Sequence, residues 1–155
     1  MMKKYLILVL FCFELNAVEL KCGFEEVYQD GKTQQGFFLM KKNKIRYQYY
    51  DQNLITIFSN SDKIFYVPNN NTSLFYEIQY EQKIIRELFD IFQTFPIKKN
   101  QYIEDDLVIK ADLGENFFRR VSVQSKNTNL SIFFIECKYE KVSDGFFFHS
   151  PYLNF

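Results

Sequence analysis

Little in this chain suits hydrolytic or metal chemistry. Of its 155 residues one is histidine, His149. One histidine cannot complete a ligand set, and Cys12, Cys22 and Cys137 show no Cys-x-x-Cys spacing. No Gly-x-Ser-x-Gly elbow, glycine-rich phosphate loop or EF-hand spacing occurs. The acidic pairs Glu25-Glu26 and Asp105-Asp106 cannot act as carboxylate dyads in a strand, where adjacent residues face opposite sides. They read as solvated surface. The expectation is a binding or carrier protein that is not an enzyme, with no metal and no cofactor.

A surplus of one charge is also missing. Lys plus Arg and Asp plus Glu both number 19. A nucleic-acid binder normally carries a basic excess, so nucleic acid is not the expected partner. Long apolar runs are absent as well. The longest, Tyr5 to Phe13, is far short of the roughly 20 residues that span a bilayer. With only 5 Gly and 3 Pro there is no Pro/Ser-rich linker, and no composition shift or internal repeat divides the chain. One domain is expected.

What is present begins with an address. Lys3 and Lys4 precede the apolar run, and Leu15-Asn16-Ala17 offers a small residue for cleavage. By pattern, residues 1–17 are a secretory signal peptide and 18–155 the exported domain. The alternative is an uncleaved anchor or a buried first strand, but Glu14 and Asn16 interrupt the run. Export would leave the cysteine pair Cys22 and Cys137, which suggests a disulfide; two buried thiols are the other reading.

Aromatics make up 19% of the chain, as 19 Phe and 11 Tyr with no Trp. Such residues favour strands. From Gln35 to Tyr50 an apolar run, a turn at Lys41-Lys42-Asn43-Lys44 and an alternating Ile45, Tyr47, Tyr49 series predict an antiparallel hairpin. Val18 to Tyr28 reads as a strand with Phe24 and Val27 as its apolar points. Strands are also expected at 54–58, 63–67 and 73–80, the last with Leu74, Tyr76, Ile78 and Tyr80 on one face. Short turns make this a meander of sequential neighbours. The period then changes. Ile84, Ile85, Leu88, Phe89, Ile91 and Phe92 mark an amphipathic helix over 81–93, ended by Phe95-Pro96. Strands resume near Tyr102, at Leu107-Val108-Ile109, over 117–124 and over 130–139.

Several strands are apolar on both faces, as at Ile64 to Val67 and Phe146 to Phe148. A sheet with one wet face needs only one apolar side, so this surplus implies either a second layer or a lined cavity.

The chain resembles the LolA family, periplasmic carriers that move lipoproteins from the inner to the outer membrane of Gram-negative bacteria. The likeness starts at Phe24 and is best from Gly36 to Val67. It is carried by Gly36-Phe37-Phe38-Leu39-Met40, the basic turn, and Ile45-Arg46-Tyr47 with Tyr49 and Asp51. Ile55-Thr56-Ile57, Ser61-Asp62-Lys63 and Ile64-Phe65-Tyr66 follow, and Phe146, Phe148 and Pro151 resemble the family's ending.

The resemblance implies a mainly β fold with one or two helices. Its strongly curved antiparallel sheet would form an incomplete barrel, LolA/LolB-like, with helix covering the concave apolar face. Acyl chains of lipoproteins, or another lipid, would be the cargo. An inner-membrane release complex and an outer-membrane acceptor would be the partners, and the periplasm the location of a monomeric carrier.

The expected lining is Phe38, Tyr47, Tyr49, Phe58, Tyr66 and Tyr76, with Ile84, Leu88 and Phe92 as lid. Lys41, Ile45 and Arg46 stand at the lid or transfer turn. Lys41-Lys42 replace the family's usual Arg-Pro, which loses the forked geometry of arginine. The family's N-terminal helix is absent or very short, since Val18 to Tyr28 reads as strand. The competing reading is a small exported structural or protein-interaction β domain with a solid aromatic core.

Overall fold

The computed structural model describes residues 18–60, 63–79, 82–96 and 100–147. The signal-peptide pattern of 1–17, Ser61, Asp62, Tyr80, Glu81, Phe148, His149 and Pro151 lie outside these residues.

The described residues form ten strands and one α-helix: β1 Glu19–Tyr28, β2 Thr33–Lys41, β3 Lys44–Tyr49, β4 Ile55–Asn60, β5 Lys63–Pro68, β6 Tyr76–Glu77, α1 Lys83–Gln93, β7 Gln101–Glu104, β8 Leu107–Leu113, β9 Phe118–Gln124 and β10 Asn129–Tyr139. A short 3-10 helix spans Asp144–Phe147. All strands belong to one antiparallel sheet ordered β6-β5-β4-β3-β2-β1-β10-β9-β8-β7. The sheet is not closed, and β6 and β7 are its two edges.

This order follows from local connections. β1 to β6 run outward as a meander, and β7 to β10 run back as a second one. The two meanders join only where β1 pairs with β10. The helix is the chain's passage from one edge strand to the other. The disulfide Cys22–Cys137 ties the β1–β10 seam across 115 residues of sequence.

Strand parity decides which side chains meet. On β1 the buried positions are Leu20, Cys22, Phe24 and Glu26. Val27 lies on the opposite parity to Phe24, so the two do not share a face. On β2 and β3 the same inner face takes Gly36, Phe38, Met40, Ile45, Tyr47 and Tyr49 through the pairs Phe38↔Tyr47 and Met40↔Ile45. The β2–β3 loop is only Lys42-Asn43, and Lys42 adopts φ 54° to close it.

Glycine is required at Gly36. A Cβ there would stand 2.0 Å from the Gln48 carbonyl oxygen and 2.5 Å from the Phe24 ring. The ring occupies the space a side chain would need.

The inner face is bent. Phe38 on β2 stacks on Phe117, just before β9, with ring centroids 5.1 Å apart. β1 and β10 separate those strands, which puts them about 14 Å apart in a flat sheet. The sheet therefore curls around the ring cluster, and this face is concave. α1 packs its buried Leu88, Phe89, Ile91 and Phe92 into the same cluster. Phe92 meets Phe38, Phe134 and Phe118, and Phe89 meets Tyr47.

Three expected strands come out differently. Of the Phe146 to Phe148 run, Phe146 and Phe147 lie in the 3-10 helix and not in a strand. Among the described residues 73–79, strand is found at Tyr76–Glu77, with Leu74 exposed and Ile78 buried. At 117–124 the strand starts at Phe118, and Phe117 and Phe118 are both buried. A register irregularity between Asp112 and Leu113 accompanies that departure from simple alternation.

The outer, convex face carries a smaller cluster of Leu39, Val142 and Phe147 with Phe37 against it. Here the segment after β10 crosses the sheet as a strap.

Candidate functional site

The concave aromatic face is the largest assembly of expected site residues. Phe38, Tyr47, Tyr49 and Tyr66 belong to it or pack against it, as do Ile84, Leu88 and Phe92 of α1. Tyr76 reaches it through Tyr66, with rings stacked at 5.1 Å, and stays exposed at the β6 edge.

Phe58 is the exception. It pairs with Arg46, not with the inward Tyr47, and so points to the convex face. There its ring stacks on Phe65 at 5.5 Å. The correction follows from the period of two: Ile55 and Ile57 take the inner positions of β4, which puts Phe58 outside.

The basic turn also divides between faces. Ile45 is inward and buried. Lys41 and Arg46 are on the outward parity and grip the strap, on the face opposite the one that α1 packs against. The Lys41 ammonium donates to the Val142 carbonyl at 2.8 Å and pairs with Glu19 and Asp144. Lys44 also pairs with Asp144, at 3.2 Å.

Arg46 is on the outer face, yet only 2% exposed. Its guanidinium lies between the rings of Phe37 and Phe58, at 5.4 and 5.3 Å from their centroids. It donates to Gln48 and to the Phe146 carbonyl, the latter at 3.0 Å. Burial draws its pKa down to about 10, which leaves it charged at neutral pH.

The turn does meet the helix through its backbone. Gln93, the last residue of α1, donates from Nε2 to the Asn43 carbonyl at 3.4 Å and to Ser59 Oγ at 3.1 Å. At the other end, Lys83 pairs with Glu104 of β7 at 2.9 Å, and Arg86 donates to the Ile78 carbonyl. No side chain caps the helix N-terminus, the first turn has no acid and the last turn no base. Its own ends thus contribute little, and the apolar side supplies most of its attachment.

Glu26 is the residue that sequence reasoning misses. Its pairing with Glu25 reads as solvated surface, yet it is 4% exposed and faces inward on β1. Its Oε1 accepts hydrogen bonds from Tyr47 at 2.7 Å and Tyr49 at 2.8 Å. Its Oε2 accepts from Tyr28. The Phe24 ring lies on Tyr47 with centroids 3.9 Å apart, shielding the group. Among the described residues no basic side chain forms an ion pair with Glu26, so the phenols are what satisfy it. The sequence does carry a signal: Leu20, Cys22 and Phe24 share the parity of Glu26, whereas pairing Phe24 with Val27 defines no such face.

Burial raises the pKa of all three phenols above the ordinary tyrosine value, and the Glu26 carboxylate raises them further. The consequence for stability has a definite sign. Above about pH 10 the unfolded chain releases these protons while the native protein keeps them, so the unfolded state binds fewer. Stability therefore falls with pH there. Each phenol that ionises only on unfolding removes about 1.4 kcal/mol per pH unit. Urea unfolding between pH 8 and 11 should show a flat region that turns downward near pH 10. Replacing Tyr47 by Phe should make the fall shallower; an unchanged slope would count against this account.

Among the described residues no group of three His, Cys, Asp or Glu side chains is placed to hold a metal ion. No helix among them is long and apolar enough to cross a membrane. No protein-family model matches the chain, and no curated protein matches it either.

Proposed function

We propose that this protein is an exported binding protein rather than a catalyst, and that an acyl chain occupies its concave aromatic face. The observation that carries this reading is that one helix covers that face, attached mainly by Leu88, Phe89, Ile91 and Phe92. An acyl chain offers the same apolar contact as those side chains and gains roughly 0.8 kcal/mol per buried methylene. Polar ties from Gln93 to Ser59, from Arg86 to the Ile78 carbonyl and from Lys83 to Glu104 accompany that apolar contact.

Together with the LolA-like hairpin and the signal-peptide pattern, this supports a periplasmic carrier with a LolA/LolB-like curved sheet. Such a carrier would move lipoprotein acyl chains, or another lipid, from inner to outer membrane. A release complex and an outer-membrane acceptor would be its partners.

A second reading has its own observation. Phe38 is in ring contact with Tyr47, Phe92, Phe117 and Phe134 at once. That packing favours a solid-core domain that binds a protein partner and no lipid.

The absence of tryptophan separates the two. A Phe89→Trp variant carries a single indole at the α1–β3 contact. The carrier reading expects a shift and intensity change of its emission on titration with long-chain fatty acid. Native mass spectrometry should also find bound lipid in protein from membrane-containing cells. A delipidated mass and an unresponsive indole in a folded Phe89→Trp variant would sink the carrier and leave the solid core.

A further inference from the structure

The convex face has a groove that the acyl-chain reading does not use. The geometry points to this groove as a second binding site, for a compact amphipathic carboxylate with an aromatic or short alkyl body. It lies between the sheet and the strap, and encloses about 380 Å³. Its apolar wall is Phe37, Leu39, Tyr50, Val142 and Phe146. That volume is at the small end of ligand sites, which run from about 300 to 1,000 Å³. It suits an aryl or short alkyl group better than a long acyl chain.

Charge at the mouth selects the sign of the ligand. Lys21 and Lys141 line it against one carboxylate, Glu140. Glu19 nearby is engaged by the Lys41 ammonium and by the Val142 N–H at 2.7 Å. The excess at the opening is therefore cationic.

The far wall is built, not incidental. Phe146 stays 40% exposed while its carbonyl accepts from Arg46, one of the few buried charged groups among the described residues. Lys41 holds the Val142 carbonyl, and Lys41 and Lys44 together hold Asp144. The backbone that carries this exposed ring is thus held in place, which lowers the entropy cost of binding.

Beside the groove, the sheet has a position without a side chain on the convex face. Gly23 pairs with Phe37 on one side and Ile135 on the other. A Cβ added there meets nothing nearer than the Ile135 carbonyl oxygen at 3.6 Å. Unlike Gly36, Gly23 has room for a Cβ, so Gly23→Leu sets a new side chain beside Phe37 and crowds the edge of the groove.

The test is an NMR titration of amide resonances with 4-phenylbutyrate, run beside 4-phenylbutyramide. Saturable shifts at Phe37, Leu39 and Val142 are expected for the acid, with weaker ones for the amide. Gly23→Leu should weaken binding by at least about tenfold. Phe146→Ala, which removes the wall instead, should weaken it too, and both variants should keep the native thermal transition.

Shifts that do not saturate, or that survive both folded variants, overturn the proposal. So does a response at this face to anionic phospholipid vesicles alone. Long-chain fatty acid, read by the indole of Phe89→Trp, reports the concave face and should be indifferent to Gly23→Leu. Failure of one site is thus distinguishable from failure of the other.

Discussion

Reduction of the Cys22–Cys137 disulfide lowers the unfolding free energy by about 4 to 5 kcal/mol. The figure comes from the loop it closes, 115 residues of sequence separation, through the chain entropy restored to the unfolded state. Its position makes the cost tell. Every other strand pair in the sheet joins sequential neighbours, whereas β1–β10 joins residues about one hundred or more positions apart. The bridge sits on the single seam between two meanders, where an unlinked chain must close its largest loop. The check is urea unfolding of the chain from Val18 onward, with and without reductant. The reduced protein should show a lower midpoint and a larger denaturant slope, since an uncrosslinked unfolded chain exposes more surface. Two thiols titrating in the unreduced, denatured protein would contradict the bridge. A midpoint within experimental error of the oxidised one would contradict the energetic argument.

Glu26→Leu should be nearly as costly, at about 3 to 5 kcal/mol. The substitution matches the apolar surroundings, yet it leaves three phenol donors without their acceptor. Tyr47 is buried, away from bulk water. A buried donor left unsatisfied costs about 1 to 3 kcal/mol, more than a made hydrogen bond contributes net.

The sharper form of the prediction is a rescue. Adding Tyr47→Phe and Tyr49→Phe to Glu26→Leu removes two orphaned donors along with the lost acceptor. The triple variant should then be more stable than Glu26→Leu alone. Glu26→Gln, which keeps an acceptor oxygen, should fall between wild type and Glu26→Leu. If the triple variant is less stable than the single, the cost lies in packing around Phe24 and not in the carboxylate network. Equilibrium unfolding of the four proteins at pH 7 decides it.

Much of the architecture is legible in residue order. The hairpin at 35–50 appears as β2 and β3, because an apolar run, a polar turn and the alternating Ile45, Tyr47 and Tyr49 follow one another. The change from period two to period 3.6 places α1 within two residues of its observed bounds. The two cysteines left after residues 1–17 suggest the bridge that the structure contains.

Faces are harder to read than elements. In β4 every position from Thr56 to Ser59 is buried, so hydrophobicity cannot say whether Ile57 or Phe58 looks inward. Pairing with β3 settles that, and it assigns Phe58 to Arg46. β1 misleads in the opposite way. A glutamate on the inner parity looks like surface until three tyrosine hydroxyls from β1 and β3 are seen to converge on it.

By itself, then, the sequence determined the local elements: strands where aromatic and β-branched residues alternate, one helix where the period lengthens, and turns where polar residues cluster. Those are short-range effects, set by neighbouring dihedrals and side-chain spacing. Only the tertiary structure decided that the helix bridges the two edges of an open sheet. It also decided that Glu26 is buried and that Arg46 and Lys41 hold a strap on the far face. These depend on pairings between residues about 20 to 120 positions apart. The free energy of such pairings comes from which groups lose water together, and no local window of sequence contains both partners.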